Sequence, residues 1–272
     1  MKNLDIQRKI VANMTSESWR NIPHVVFSYE PDVAAFEERW RSTGKTVSFN
    51  TLMLSTIACA LKAAPRMNAH FSFNRWLVTG HLDVKESVDI SMPTVLPDGR
   101  MMTLNIHGCD SKTPEELQAC INDVLRRAAA SSLDDAMMDT AMKNTYNALW
   151  HGKVITALGR LIGKTLHPEC AKTLKGKARR QYRALPTTER LGTEDIEQGT
   201  ITVSNFGSLY KSLRGRPMLL EVVPPQVVAI GIGAIQNEND RRILPMCIAF
   251  DHRVLDFGDI VPFIKKMDEL LG

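Results

Sequence analysis

Apolar and polar positions follow two different periods along this chain, one typical of strands and one typical of helices. Residues 22–30, IPHVVFSYE, are rich in β-branched and aromatic side chains and predict a strand. After them, Val33, Phe36 and Trp40 recur at helical spacing until Gly44 ends the pattern. A strand followed by a helix is therefore predicted near the start of the chain.

The next segments predict a second helix and then strands. Ser48 can cap residues 49–64, FNTLMLSTIACALKAA, which are apolar on most sides of a helix and end at Pro65. Residues 76–93, WLVTGHLDVKESVDISMP, suggest a hairpin and a further strand, and residues 96–100, LPDGR, have the composition of a turn. We expect the apolar helix to lie in the core.

The second half of the chain also mixes helical and strand patterns. Residues 113–116, TPEE, form a capping box that predicts a helix over residues 116–130, and residues 134–150 are helix-prone. Residues 257–271 predict a terminal helix with Pro262 in its first turn. Three apolar segments predict strands: residues 199–207, 226–235 and 244–250. Together these elements predict an α/β protein with a sizeable mixed sheet.

Composition is that of a globular protein. The chain has 272 residues, of which 44% are hydrophobic and 24% charged, enough to bury a core as one large domain or two small ones. It contains no run of 18 apolar residues, so no membrane span is indicated. Its first ten residues, MKNLDIQRKI, include charged side chains where a signal peptide would be apolar, so export is not indicated and we expect the cytoplasm. The five cysteines are odd in number and widely spaced, which predicts buried, reduced thiols and no zinc site.

One segment carries the basic character of the chain. Residues 151–190 contain ten Lys and Arg against two Glu, whereas the formal net charge of the whole chain is only +4. The remaining residues are therefore more acidic than basic.

Residues 251–256, DHRVLD, hold the strongest candidate for chemistry. A neutral imidazole can take the proton of a thiol or hydroxyl when a neighbouring group fixes its tautomer, and His252 lies beside Asp251 and Asp256. Spacing alone leaves open whether His252 is catalytic or a structural or surface residue. For His24 the sequence favours a packed strand histidine.

Four separate segments in order resemble one family. These are residues 6–33, 202–210 (TVSNFGSLY), 224–235 (PPQVVAIGIGAI) and 251–256. The chain resembles the catalytic domain of the dihydrolipoamide acyltransferases of 2-oxoacid dehydrogenase complexes, over residues 5 to about 130 and 190 to 272, a family that shares its fold with chloramphenicol acetyltransferase. The resemblance implies a two-layer α/β sandwich that forms a trimer, with an active site between subunits that coenzyme A and a lipoyl thiol enter from opposite sides.

The resemblance also implies roles for individual residues. His252 matches the general base, and Ser204 matches a residue that donates a hydrogen bond to the oxyanion of the tetrahedral intermediate. Asp256 matches a residue that braces the loop around the histidine, and Arg8 is a candidate ion-pair partner for it. Two further residues, Asn205 and Phe257, are expected to contact substrate. The resemblance implies no metal.

The chain departs from the family pattern in three places. Phe257 stands where the family motif usually has glycine, which could narrow or reshape the channel, and Met101 and Met102 stand where relatives usually carry an apolar stretch with proline. We expect a single catalytic domain over residues 1–272, with a basic, helical insertion at about 131–188. We expect neither a lipoyl nor a subunit-binding domain, so a lipoyl group would come from another protein.

Several partners remain open for the insertion. Val154, Leu158, Leu161 and Ile162 form an apolar stripe among basic residues, which could pack on the trimer as a solvated helical hairpin. The same pattern could bind an anionic membrane surface or an acidic partner such as an acyl carrier protein. Nucleic acid is disfavoured, because no aromatic stacking platform is evident.

The sequence therefore predicts a coenzyme A dependent acyltransferase. The acceptor would be a dihydrolipoyl thiol or a small hydroxyl or amine, and the partners would be further copies of the chain, with a dehydrogenase component or a larger assembly possible. The alternative is a catalytically weak or inactive trimer that serves as a scaffold, its channel altered by Phe257.

Overall fold

The structure is a computed structural model that describes residues 4–96, 99–150 and 173–272. The helices of these residues are α1 Ile6–Asn21, α2 Ala34–Ser42, α3 Phe49–Leu61, α4 Pro114–Ala130, α5 Leu133–Trp150, α6 Gly176–Ala184, α7 Phe206–Leu209 and α8 Phe257–Leu271. The strands are β1 His24–Tyr29, β2 Ala69–Asn74, β3 Thr79–Val84, β4 Ile90–Val95, β5 Met101–Ile106, β6 Ile201–Asn205, β7 Val228–Ile232, β8 Gln236–Glu238, β9 Arg241–Ile243 and β10 Met246–Asp251.

Six strands form one mixed sheet in the order β1-β10-β7-β6-β4-β5. The strands β4, β6 and β7 run parallel, whereas β10 is antiparallel to both β1 and β7, and β5 is antiparallel to β4. The strands β2 with β3, and β8 with β9, form two separate hairpins. The predicted α/β class with a mixed sheet is confirmed.

Helices cover one face of the sheet. Helix α3 packs against α8 and α4, and most of its residues are buried, as its all-round apolar pattern predicts. On the opposite face the strands carry the small residues Ala229 and Ala249, which pack against Ile22 and Val222. The sheet thus has one thick helical layer and one thin covering.

Local capping signals in the sequence define several helix starts. The Ser48 hydroxyl accepts the Thr51 N–H at the start of α3, as predicted. At the start of α4, Thr113 accepts the Glu116 N–H and the Glu116 carboxylate accepts the Thr113 N–H, so the predicted capping box is confirmed. Each bond satisfies a backbone group that the first helical turn leaves unpaired.

Three local predictions are wrong. Pro262 is the sixth residue of α8 and lies in its second turn, not its first. The hairpin begins at Ala69, before the predicted segment, and residues 75–78 form its turn, in which Val78 adopts a left-handed conformation with φ of 51°. Cys59 is exposed on α3, whereas Cys109 and Cys247 are buried as expected.

Parts of two predicted segments lie outside the described residues. In the predicted turn LPDGR, Pro97 and Asp98 are not described, but the Gly99 N–H donates to the Leu96 carbonyl. Within the basic segment, residues 151–172, which include the predicted apolar stripe and Cys170, are not described.

The described part of the predicted insertion is helical. Helix α6 lies against α5 through ion pairs of Arg179 with Asp135 and of Arg183 with Asp139. The bounds of the insertion and the single-domain organisation stay predictions. No helix in the described ranges is long and apolar enough to cross a membrane.

Candidate active site

The corner that follows β10 is built around a buried ion pair. The carboxylate of Asp251 is 1% exposed and accepts hydrogen bonds from the backbone N–H, Nε and Nη2 of Arg253 at 3.0, 2.9 and 2.6 Å. The Asp251 N–H donates to the Val227 carbonyl, and the His252 N–H donates to the Pro23 carbonyl. The backbone on both sides of His252 is therefore held in place.

The imidazole of His252 has the geometry of a general base. Its Nδ1 lies 2.9 Å from the carbonyl oxygen of Leu255, which can only accept a hydrogen bond, so Nδ1 carries the proton. In the neutral ring, Nε2 then has a free lone pair. The residue is exposed, and its ring packs edge-on to Phe250 with centroids 6.0 Å apart.

Asp256 braces this corner by capping the next helix. Its carboxylate accepts the N–H groups of Gly258 and Asp259 at 2.7 and 3.3 Å, and the Asp259 carboxylate accepts the Asp256 N–H at 3.0 Å. This capping box fixes the direction in which α8 leaves the corner.

Within the described part of one chain, Arg8 and Asp256 form no ion pair, and their pairing stays a prediction. Arg8 is an exposed residue of α1 and pairs with no carboxylate in the described ranges, whereas Oδ1 of Asp256 accepts both N–H groups at the start of α8. Besides Arg253, Arg66 also holds the corner: its Nη2 donates to the Val254 carbonyl at 2.8 Å and its Nε lies 3.2 Å from Asp259. No spacing in the sequence pointed to Arg66.

Phe257 is the first residue of α8. Its backbone is helical, so this position does not require the conformational freedom of glycine. The ring is 48% exposed and meets Phe27 and Phe250 edge-on, with centroids 5.8 and 5.7 Å apart. Phe257 follows His252 by five residues, at the start of α8. Its contact with substrate stays a prediction.

Ser204 lies on β6, in a different part of the molecule. It is 9% exposed, and within the described ranges its hydroxyl makes no hydrogen bond. Because successive strand residues point to opposite faces, Ser204 faces away from Val203 and Asn205. The hydroxyl is therefore available as a donor to a group that approaches this end of the sheet.

Asn205 is largely committed to the protein itself. Its Oδ1 accepts the Ser208 N–H at 2.9 Å, which caps α7, and its Nδ2 donates to Oδ1 of Asn50 at 2.8 Å.

Asn205 and Asn50 border a groove of about 310 Å³ between the sheet and helices α3 and α4. The residues that line this groove are all uncharged and include Asn50, Met92, Val95, Gln118, Asn122 and Leu125. Asn50 and Gln118 had no sequence signal, since their helix positions resemble those of ordinary surface amides.

The sheet register separates Ser204 from His252. Ser204 lies opposite Gly231 on β7, and Gly231 lies opposite Cys247 on β10. His252 follows Cys247 by five residues toward the other end of the sheet. At about 3.3 Å per residue and about 4.8 Å between strands, the two Cα atoms are roughly 20 Å apart. A single chain therefore does not bring this base and this donor to one reacting atom.

Other reactive side chains have structural partners. His24 Nε2 accepts the Val222 N–H at 3.1 Å, as expected for a packed strand histidine. Burial raises the pKa of the Cys109 thiol to about 12 and also raises that of Cys247, so neither is a ready nucleophile. Among the described residues, no group of three or more His, Cys, Asp or Glu is placed to hold a metal ion.

The sequence matches a known family over most of its length, and it matches several known proteins over most or part of it. A family model described as 2-oxoacid dehydrogenases acyltransferase (catalytic domain) matches residues 1–142 and 175–272. The dihydrolipoyllysine-residue acetyltransferase component of the pyruvate dehydrogenase complex of Acholeplasma laidlawii is 23% identical over 279 residues, covering 97% of this chain and 39% of that protein. The succinyltransferase component of the mitochondrial 2-oxoglutarate dehydrogenase complex of Saccharomyces cerevisiae is 30% identical over 90 residues, 30% of this chain and 19% of that protein. The chain thus spans less than half of the length of these two relatives.

Solved structures share the fold at low sequence identity. The truncated catalytic core of the 2-oxoacid dehydrogenase multienzyme complex from Thermoplasma acidophilum has a TM-score of 0.65 and 17% identity, covering 100% of this chain and 97% of that one. Chloramphenicol acetyltransferase has a TM-score of 0.50 and 13% identity, covering 94% and 92% of the two chains. Both comparisons confirm the predicted fold, as the family match confirms the predicted resemblance.

Proposed function

Because this chain belongs to the family of 2-oxoacid dehydrogenase acyltransferase catalytic domains, we propose that it transfers an acyl group between a coenzyme A thioester and a dihydrolipoyl thiol carried by a separate protein. The observation that carries the proposal is the hydrogen bond of His252 Nδ1 to the Leu255 carbonyl, which leaves Nε2 as a proton acceptor. An imidazole held in this tautomer is suited to deprotonate a thiol as it attacks.

The reaction is a direct transfer. His252 Nε2 takes the proton of the attacking thiol while the sulfur forms a bond to the thioester carbonyl carbon. The resulting oxyanion accepts a hydrogen bond from the Ser204 hydroxyl, and such a donor typically contributes about 10² to 10³ in rate. The bond between the carbonyl carbon and the sulfur of coenzyme A then breaks, and the imidazolium returns the proton to the leaving thiolate. No covalent enzyme intermediate forms, so ping-pong kinetics would contradict this scheme.

The reacting groups come from two copies of the chain. Ser204 and His252 lie at opposite ends of one sheet, so a complete site requires His252 of one copy to face Ser204 of another. The exposure of His252 in the single chain supports this arrangement, since a second copy would cover it. A closed ring of such head-to-tail contacts is the trimer that the family resemblance implies.

The partners follow from the same family membership. A lipoyl-bearing protein would present the acceptor thiol, and a dehydrogenase component would supply or remove its acyl group. The two named relatives are components of such dehydrogenase complexes, and assembly of this chain into one is part of the proposal. We propose the cytoplasm as its location.

The proposal is tested by measuring the release of free coenzyme A thiol. A panel of acyl coenzyme A esters is offered with dihydrolipoamide, a lipoylated protein domain, or small amines and alcohols as acceptors. We expect turnover with the dihydrolipoyl acceptors. The variant His252→Ala should lose several orders of magnitude in kcat, and Ser204→Ala should lose about 10² to 10³.

A control variant distinguishes chemistry from folding. Thr187 is an exposed residue outside both the β2–β3 hairpin and the corner after β10, and Thr187→Ala should keep wild-type turnover. Wild-type protein that shows no turnover with any acceptor and no binding of coenzyme A by calorimetry would overturn the proposal. That outcome would favour the alternative of a trimeric scaffold.

A further inference from the structure

We infer that the β2–β3 hairpin is a positioning device for His252, acting through Phe71 and the guanidinium of Arg253. The inference rests on the proposed function, because it assigns a role to residues that touch the base's corner and not the substrate. It links Arg253 of the motif DHRVLD to side chains of a hairpin that joins no strand of the main sheet.

The base of the hairpin is anchored at the same end of the sheet as His252. The Phe71 N–H donates to the Pro225 carbonyl at 2.7 Å, and His70 Nε2 lies 3.0 Å from the Gly199 carbonyl oxygen. Pro225 lies three residues before β7 and Gly199 two residues before β6, at the end of the sheet where β10 leads into His252. The hairpin is therefore fixed to the sheet beside the corner.

Arg253 joins the hairpin to the corner. Its guanidinium lies 5.3 Å from the centre of the Phe71 ring and 6.0 Å from that of Phe73, and the two rings stack with centroids 6.1 Å apart. The Nε and Nη2 atoms of the same guanidinium donate to the two oxygens of the buried Asp251 carboxylate. A cation over an aromatic face within about 6 Å is attracted to the ring. Arg253, the residue after His252, thus contacts both the carboxylate of Asp251, the residue before His252, and the two rings of the hairpin.

The hairpin sequence makes room for this stack. On β3, Gly80 lies beside both rings, and a Cβ atom there would stand 2.9 Å from Cε2 and 3.0 Å from Cζ of Phe71. Such distances are shorter than a normal van der Waals contact, so any larger residue would push the Phe71 ring off its position. Glycine at position 80 is therefore explained by its close packing against the Phe71 ring.

The stack matters because of the tautomer that His252 needs. The bond from Nδ1 to the Leu255 carbonyl keeps Nε2 unprotonated, and it exists only while the turn 251–255 keeps its shape. The turn is also held by Asp251, by Arg66 and by backbone hydrogen bonds, and the ring contact of Arg253 is the part of this support that the hairpin supplies. Without that contact, the imidazole exchanges toward the other tautomer, in which Nε2 carries the proton and cannot accept one.

Two measurements on Phe71→Leu test the inference. In steady-state kinetics with dihydrolipoamide, kcat should fall on the order of tenfold while KM for both substrates stays unchanged, because only the placement of the base is altered. In ¹⁵N-histidine NMR spectra, the His252 signals should shift from the Nδ1–H tautomer toward a mixture. Gly80→Ala should reproduce both effects, and Phe71→Tyr, which keeps a ring face, should restore wild-type values.

Tyr182→Leu provides a matched control. Arg190 lies 5.5 Å from the centre of the buried Tyr182 ring on α6, so this variant removes a similar contact between an arginine and a ring elsewhere in the molecule. It should lower thermal stability and leave kcat and the His252 signals at wild-type values.

The outcomes separate the two proposals. Wild-type kcat and an unchanged tautomer in both Phe71→Leu and Gly80→Ala would overturn the positioning role, as would equal losses in Tyr182→Leu. If Phe71→Leu does not fold, Gly80→Ala decides the question by itself. Absence of turnover in the wild type would overturn the proposed function, whereas the NMR tautomer would still decide whether the hairpin positions His252.

Discussion

The histidines of this protein differ in what they can do because the fold supplies each with a different partner. His252 has a carbonyl oxygen at Nδ1 and an open Nε2, whereas His24 uses Nε2 to hold the backbone of Val222. For His70, burial lowers the pKa and thereby favours the neutral ring. At the scale of single residues, chemistry therefore depends on the hydrogen-bond partner and not on the residue type alone.

His107 supplies a pH-dependent contribution to stability. Its Nδ1 lies 3.0 Å from Asp89, and this bond raises the pKa of His107 against the opposing effect of burial. For Asp89, burial alone would raise the pKa, but hydrogen bonds from His107 and Gly108 outweigh it and lower the pKa to about 2. The carboxylate is thus ionised throughout the neutral range.

We expect the replacement His107→Gln to cost more stability in mild acid than in mild base. The folded-state pKa of His107 lies above the usual value of about 6.5, so its contribution is complete below that pH and is lost as pH rises through the folded pKa. Urea unfolding of wild type and variant at pH 6 and pH 9 measures this, with the exposed His81→Gln as control. An equal difference at both pH values would contradict the ion pair.

At the scale of elements, helix ends decide where the functional groups point. Asp256 caps α8 and Asn205 caps α7, so each of the motifs DHRVLD and TVSNFGSLY contains a residue whose side chain caps a helix. Since a cap fixes the direction of the chain at that point, the loop before α8 and the turn after β6 are both constrained locally. The two motifs therefore share a helix-capping side chain, although they lie at opposite ends of the sheet.

The capping box of α4 gives a direct test of such a contribution. Replacement of Thr113 by alanine removes the bond to the Glu116 N–H, and we expect a loss of about 1 kcal/mol in the free energy of unfolding. The control is Thr187→Ala, an exposed position whose hydroxyl makes no hydrogen bond in the described part of the chain. Chemical denaturation measures both, and losses of the same size would argue against the cap.

Pro262 lies inside α8, where it weakens the helix, whereas the sequence predicted it in the first turn, where proline is tolerated. As the sixth helical residue, it lacks the N–H that would bond to the Gly258 carbonyl, and its ring crowds that carbonyl. Pro262 is exposed, so Pro262→Ala should raise the free energy of unfolding by about 1 kcal/mol or more. The measurement is a urea titration, with Val261→Ala at the neighbouring exposed position as control. Unchanged or lower stability of Pro262→Ala would show that the fixed φ of proline compensates for the missing bond.

At the scale of the whole molecule, His252 and Ser204 lie toward opposite ends of one sheet. Around the end that carries Ser204, Leu209 and Tyr210 are 55% and 61% exposed, and around the other end Phe257 is 48% exposed. Apolar side chains left in solvent next to an incomplete site are consistent with a surface that a second copy covers. Complementary ends of this kind favour head-to-tail assembly.

Complementation between two inactive variants tests this assembly. His252→Ala and Ser204→Ala are each purified, then denatured together in equal amounts and refolded. Since a complete site needs one copy with His252 and a neighbour with Ser204, random assembly should restore about a quarter of the wild-type sites. Free coenzyme A release measures the activity, and each variant refolded alone is the control. A mixture no more active than the separate variants would show that the site lies within one chain.

Much of the fold was predictable because its signals are local. The strands β1, β6, β7 and β10, the caps at Ser48 and Thr113, and the mixed α/β class all follow from patterns that span one or two turns of chain. The start of the β2–β3 hairpin was missed because its tip is apolar and contains a β-branched residue at positive φ, the opposite of the usual turn composition.

The candidate site was predictable only in part. The sequence by itself determined that His252, Ser204 and Asp256 belong to a recurring motif set, because residue order and spacing are properties of the chain. Only the tertiary structure decided that Arg66 binds the corner, that Asn50 holds Asn205, and that Ser204 and His252 lie far apart in one chain. These relations depend on strand register and on the packing of helices against the sheet. They join residues distant in sequence, and no local pattern encodes which of many similar side chains will meet.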